Sequence, residues 1–449
     1  QRLGKMLGSK LYGTPTDIAK VSVKELFQNS FDAVKEGVEK GQITKGKISI
    51  EVDQSKRTIQ VVDNGPGMPT SVMGNQFLQI AGTVKGTKRA SGGLGVAKML
   101  FLFENKKLEV ISLRDGVISR LNTTGEELKL AMASNPRTLF ETLKDFLSED
   151  DMVAMEPIIE AAIQRQKESG VEVPDIVVST STNPDAIKEL TKTLFPYGHG
   201  TSISIEVPES YEDTTTGEIK DIPFSEYSIE NAYVLRQSPL FTDIDVTLQR
   251  GNRVPEQLNL GSAFPIDNYT PFANVRFNWG TARIYVTKNK TAYVSSENAH
   301  VLSNGLWQFN TTIKDRPGYD GKPIQRDFYV DVSPNENVDP SDAAYPFDLN
   351  RQNFSKTGIE DFQKIFNYIT VIYSQVDLAS ETKNFGTVQY VNADGSLTTP
   401  EVLEPKTPAS DNAFTLIKPG DSVDVKDGVL YVNNRPIPEL TNDDLKNVT

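Results

Sequence analysis

Residues 25–33, Glu25-Leu26-Phe27-Gln28-Asn29-Ser30-Phe31-Asp32-Ala33, read together with the later segment Asp63-Asn64-Gly65-Pro66-Gly67-Met68, decide what kind of protein this is. On a helix, Glu25, Asn29 and either Asp32 or Ala33 recur at i, i+4 and i+7 or i+8, so one stripe carries a carboxylate, an amide and a second carboxylate. Ile18, Val21, Leu26, Phe27, Val34 and Val38 supply apolar positions that seat the helix on a sheet. Glu25 and Asn29 then fall at the edge of a cavity. Taken alone, such a stripe is more often a solvated helix face.

Working outward, the helix runs over 17–40, with Thr16 or Asp17 able to cap its start and Gly41 ending it. Residues 47–53 and 58–62 alternate with period two around the turn Gln54-Ser55-Lys56-Arg57 and read as a β-hairpin. The second strand delivers Asp63 into a turn in which Gly65 and Gly67 let the backbone approach a planar ring. A carboxylate there suits an exocyclic amine such as that of adenine. Asp-Asn-Gly-Pro-Gly by itself fits an ordinary turn equally well. Further on, a glycine-rich, basic loop with Lys85 runs into Ser91-Gly92-Gly93-Leu94-Gly95-Val96-Ala97-Lys98 and opens onto a helix over 96–103. Free backbone N–H groups at a helix start make a phosphate site. The spacing is not that of a Walker P-loop.

The stretches ELFQNSFDA, DNGPGM, GGLGVAK and Gly198-His199-Gly200-Thr201-Ser202-Ile203-Ser204-Ile205 stand in the order of the four nucleotide-binding boxes of the GHKL ATPases, and residues 5–208 resemble that superfamily. It groups gyrase B-type topoisomerases, the ninety-kilodalton heat-shock chaperones, histidine kinases and MutL-type mismatch-repair proteins. The resemblance implies an α+β chain that begins with a Bergerat-type ATP-binding α/β sandwich. It implies Glu25 as the general base that activates water and Asn29 as the ligand of a Mg²⁺ ion bridging the triphosphate. Asp63 matches the adenine-binding carboxylate, with Gly65, Gly67 and Met68 beside the base and Thr201 supporting Asp63 through water. Gly92, Gly93 and Gly95 match lid glycines that contact phosphate. Histidine kinases generally lack the glutamate base, so Glu25 points to hydrolysis rather than transfer to a protein histidine. The GGLGVA spacing departs toward the short kinase form, which leaves the separate glycine roles open.

Residues 108–123 read as another hairpin. An insertion of helical character follows at about 125–195, periodic at 138–148, 151–168 and 184–195. The ATP-binding domain is thus expected over 1–220. From about 222 strands predominate, at 244–248, 274–277, 282–286, 307–312 and 327–332. This pattern resembles the transducer (S5-like) α/β domain of the gyrase, MutL and heat-shock members, expected over 221–380. There the resemblance implies a cation that reaches the γ-phosphate. Residues 346–354 are similar to the catalytic loop of the heat-shock chaperones and nominate Arg351, with Lys356 in reserve; a surface arginine ahead of a helix over 358–378 is the competing reading. Residues 381–449 read as a linker and a small β-rich module.

Composition narrows the chemistry. The 449 residues exceed one core, and a net charge of −13 means that any nucleic-acid partner needs a local basic patch. There are no cysteines and only two histidines, which leaves carboxylates, amides, Lys and Arg, with a hard cation, to do the work. No membrane-spanning run or signal sequence is read, so a cytoplasmic protein is expected. The expectation is therefore an ATP hydrolase using ATP and Mg²⁺, a clamp that homodimerises through its N-terminal domains and acts on a protein client, as a chaperone, or on DNA. The alternative is a nucleotide-binding structural or interaction protein with little turnover. The insertion and the C-terminal module fit a divergent bacterial or viral member.

Overall fold

The computed structural model describes residues 18–73, 104–128, 176–213, 216–230, 232–238, 244–288, 297–313, 326–335, 345–347, 353–356 and 358–363, together with isolated positions and short strands elsewhere. Two large sheets and few helices give a mixed α/β architecture.

Helix α1, Ile18–Glu39, matches the expected helix, and its Val23, Phe27, Phe31 and Val34 are buried. It ends where Gly41 turns left-handed at φ 66° and its amide returns to the Val38 carbonyl. The proposed caps, Thr16 and Asp17, lie outside the described residues. Strands β1, Gly46–Asp53, and β2, Thr58–Asp63, form the predicted hairpin, as do β3, Lys107–Arg114, and β4, Val117–Thr123.

Within the region read as a helical insertion, two elements are described after residue 175. Strand β5, Val178–Ser181, extends the sheet beside β4. Helix α2, Pro184–Thr193, is capped by Asn183, whose side chain accepts from the Asp185 and Ala186 amides. The periodic stretch at 138–148 and nearly all of 151–168 lie outside the described residues.

Strand β6, Gly200–Glu206, then inserts between β2 and β3. A small hairpin of β7, Ser210–Glu212, and β8, Ile219–Asp221, leads to helices α3, Glu226–Glu230, and α4, Tyr233–Arg236. The first sheet is completed by β9, Ile244–Arg250, and β10, Glu256–Gln257, in the order β10-β9-β1-β2-β6-β3-β4-β5. This corrects the sequence reading, which grouped 244–248 with the second domain. Val246 and Leu248 pair in parallel with Ile48 and Ile50, and all four share the core under α1. Periodicity identifies a strand but not the sheet that accepts it.

The second sheet contains β11, Tyr269–Phe277; β12, Gly280–Thr287; β13, Ala299–Ser303; β14, Leu306–Thr311; and β15, Phe328–Pro334. Its order is β14-β13-β15-β12-β11, with Leu440–Thr441 added parallel to β11. One face packs on Tyr345, Phe347, Phe354, Phe362 and Phe366, and Trp279 Nε1 donates to Asp361 at 3.0 Å. Among the described residues no helix is long and apolar enough to cross a membrane.

Candidate functional site

Because α1 covers one face of the first sheet, alternate residues of each strand point at it. Val61, Ile203, Val110 and Leu121 stand side by side across β2, β6, β3 and β4 and form an apolar floor in that core. One pleat further along, the same four strands present Asp63, Thr201, Ser112 and Ser119 in register, all buried. A polar row thus replaces the apolar floor at the end of β2. Buried polar groups must be hydrogen-bonded, and the side chains of Asp63, Ser112 and Ser119 are.

The Asp63 carboxylate accepts from the Gly65 amide at 2.9 Å, from the Ser30 hydroxyl on α1 and from the backbone of Thr201. Burial nevertheless dominates and pushes its pKa up to about 7. Ser112 accepts from the Met68 amide at 2.6 Å and donates to the Gly200 carbonyl at 3.3 Å. The Ser119 and Thr70 hydroxyls share a hydrogen bond of 2.6 Å. The 64–70 turn is thereby laid across the row. Asn64 fastens its start to β1, accepting from the Lys47 amide at 2.7 Å and donating to the Lys45 carbonyl at 2.9 Å. His199 Nδ1 donates to the Gly65 carbonyl at 2.9 Å, so the proton is on Nδ1.

Two glycines are dictated by this closeness. Gly67 has φ 78°, and a Cβ there would lie 2.4 Å from the Leu113 carbonyl oxygen. Gly200, at φ 146°, would place a Cβ 2.3 Å from the Asp63 carbonyl oxygen. The described contacts give Gly67 a protein neighbour, the Leu113 carbonyl, that by itself requires a glycine there.

The structure therefore brings Asp63, Gly65, Gly67, Met68 and Thr201 together, with the α1 face at Ser30. Glu25 and Asn29 are half-buried on the same helix. Glu25 lies five residues before Ser30, about 7.5 Å along the axis. Lys85, Gly92, Gly93, Gly95 and Arg351 lie outside the described residues. Lys356 is exposed just after Phe354, which packs on the second sheet's aromatic cluster. Sequence reasoning missed Ser30, Ser112 and Ser119. A signal existed in β3 and β4, where the inward positions Leu108, Val110 and Leu121 give way to hydroxyls at the level of Asp63.

The donor set fits an adenine nucleotide. A buried carboxylate with a raised pKa gains from an additional N–H donor, which the exocyclic amine of adenine supplies. Among the described residues no cluster of three or more His, Asp or Glu could hold a metal. Mg²⁺ bound chiefly through phosphates needs only one or two protein ligands.

Residues 17–142 match the family described as Histidine kinase-, DNA gyrase B-, and HSP90-like ATPase. This part of the chain, which carries α1, β1 to β4 and the Asp63 turn, is thus similar to the ATP-binding domain of GHKL-type proteins. No curated protein matches the chain significantly in sequence. Thr201 lies beyond the matched residues, and β6 brings it back beside Asp63.

Proposed function

We propose that the chain binds ATP with Mg²⁺ and hydrolyses it. The observation that carries this reading is the contact of Ser30 with Asp63, which fixes the helix bearing Glu25 and Asn29 against a buried carboxylate suited to adenine. With the base at Asp63, the triphosphate extends toward Asn29 and Glu25. Asn29 holds Mg²⁺, which neutralises phosphate charge, and Glu25 accepts the proton of a water in line with the γ-phosphate. Gly65, Gly67 and Met68 border the base, and Thr201 supports Asp63. Lys85 and Gly92, Gly93 and Gly95 serve the phosphates. Arg351, or Lys356 in its place, supplies the cation from the second domain.

In this reading the ATP-binding domain is followed by a transducer-like domain and a small β module. Two chains meet through their N-terminal domains when ATP orders the 82–98 loop, and hydrolysis reopens them, giving an ATP-gated clamp for a protein client or DNA. The test is steady-state hydrolysis of MgATP by the wild type and Glu25→Ala, with and without duplex DNA, beside equilibrium binding. The expected result is binding by both and turnover by the wild type alone, with DNA stimulation choosing the DNA-acting form. ATP binding without turnover in either protein sinks the hydrolytic reading and leaves a nucleotide-holding interaction protein.

A further inference from the structure

The second sheet reaches α1 through the β13–β14 hairpin. Its two-residue turn, Asn304-Gly305, has φ of 50° and 86°, the left-handed pair that suits the twist of a tight hairpin. The Asp331 carboxylate on β15 accepts the Gly305 amide and braces the turn. Beyond it, Leu306 is fully buried in the first sheet's core. The Trp307 amide donates to Ser238 Oγ at 3.0 Å, and that hydroxyl donates to the Val234 carbonyl at 2.6 Å. The hairpin is therefore anchored beside α4 as well as inside the core.

On the helix side, Lys24 Nζ donates to the Gln308 carbonyl at 3.1 Å and lies 5.3 Å from the centre of the Trp307 ring. Lys24, Gln28, Phe31 and Lys35 share one helix face. Gln28 and Phe31 are buried, and the Lys35 charge acts on Asp331. This face is about 100° round the helix from the stripe bearing Glu25 and Asn29. The second sheet thus grips α1 immediately beside Glu25, without covering the face that meets Asp63.

We infer that Lys24 is a positioning residue for the hydrolysis proposed above: it latches the first turns of α1 to the hairpin and so holds Glu25 in line. The inference rests on the hydrolytic reading. Turnover then depends on docking of the second sheet, whereas nucleotide affinity, set mainly at Asp63, does not. An ammonium to carbonyl bond over an indole face has both charge-assisted and cation–π character, and an arginine keeps both.

The test compares Lys24→Met, which keeps the apolar stem, with Lys24→Arg. The readouts are kcat and KM for MgATP, equilibrium ATP binding, and hydrogen exchange over 18–30 and 303–311. Lys24→Met is expected to lower kcat about tenfold, with KM and affinity changed by less than about threefold, and to speed exchange in both segments. Lys24→Arg is expected to recover most of kcat. Unchanged kcat in Lys24→Met overturns the inference, as does a joint loss of kcat and affinity with faster exchange throughout the chain. If the wild type binds ATP without hydrolysing it, the functional reading and the positioning role fall together. Exchange confined to the two segments would then still identify the latch, separating failure of the chemistry from failure of the contact.

Discussion

Gly200 passes so close to Asp63 that a Cβ on it would stand 2.3 Å from the Asp63 carbonyl oxygen and 2.8 Å from the Phe195 ring. The strand that supplies Thr201 is therefore held against β2 at the level where Asp63, Thr201, Ser112 and Ser119 stand in register. Gly200→Ala is expected to cost about 2–4 kcal/mol, because neither backbone nor ring can withdraw without opening the pair. Urea unfolding followed by far-ultraviolet circular dichroism measures this, and a midpoint equal to the wild type would contradict it.

The same pairing makes nucleotide binding pH-dependent. Burial raises the Asp63 pKa from 3.8 to about 7, so the empty fold favours the protonated acid. Its stabilising contribution is full below the lower value and is lost as pH rises through the upper one. A ligand that donates an N–H to the carboxylate prefers the ionised form. ATP affinity is thus expected to rise with pH, by up to about tenfold per unit, and to level off above about 7. Titration calorimetry in buffers of different ionisation enthalpy should detect proton release on binding near neutral pH. Affinity that falls with rising pH over this range would be the wrong sign.

Ser112 links the Asp63 turn to the row beneath it, since its hydroxyl takes the Met68 amide and gives to the Gly200 carbonyl. Ser112→Ala strands both groups and is expected to cost about 1–3 kcal/mol. Hydrogen exchange at the Met68 amide should accelerate well before global unfolding. Protection like that of the wild type would show that the turn is held by other contacts.

His300 sets an opposite pH trend in the second sheet. It is buried between Phe264 and Tyr329, hydrogen-bonded through Nδ1 to Asn310, and its pKa is pushed down to about 4. A neutral imidazole is required, so its contribution is present above 6.5 and is lost as pH falls through about 4. Trp279 lies in the second sheet's core, and Trp307 lies on β14 where that sheet meets α1, so the fluorescence of the chain's two tryptophans follows the second sheet and its contact with α1. Fluorescence-detected stability should decline between these pH values, and His300→Asn should flatten the decline.

The sequence was most legible where periodicity and a chemical motif coincide. Helix α1 and the two hairpins follow from spacing alone, and the end of β2 with Asp63 follows from the turn after it. The four ordered boxes identified the superfamily that residues 17–142 match. What remained hidden depends on pairing between distant strands. Nothing local says that Ile244–Arg250 lies beside β1, or that Ser112 and Ser119 extend the row begun by Asp63 and Thr201. The hairpin at Asn304-Gly305 had a local signal, two glycine-compatible turn residues, but β13 was not recognised as a strand. Its buried His300 and Ser303 break the apolar pattern.

The most direct measurement of the account is equilibrium binding of ATP and GTP to the wild type and Asp63→Asn at a pH above 7. If the Asp63 carboxylate accepts the adenine amine, the wild type prefers ATP. Asp63→Asn then binds ATP about 10- to 100-fold more weakly, with its fold retained by circular dichroism. A folded Asp63→Asn that binds ATP as tightly as the wild type, with the same preference over GTP, would contradict the assignment of this row as the adenine site.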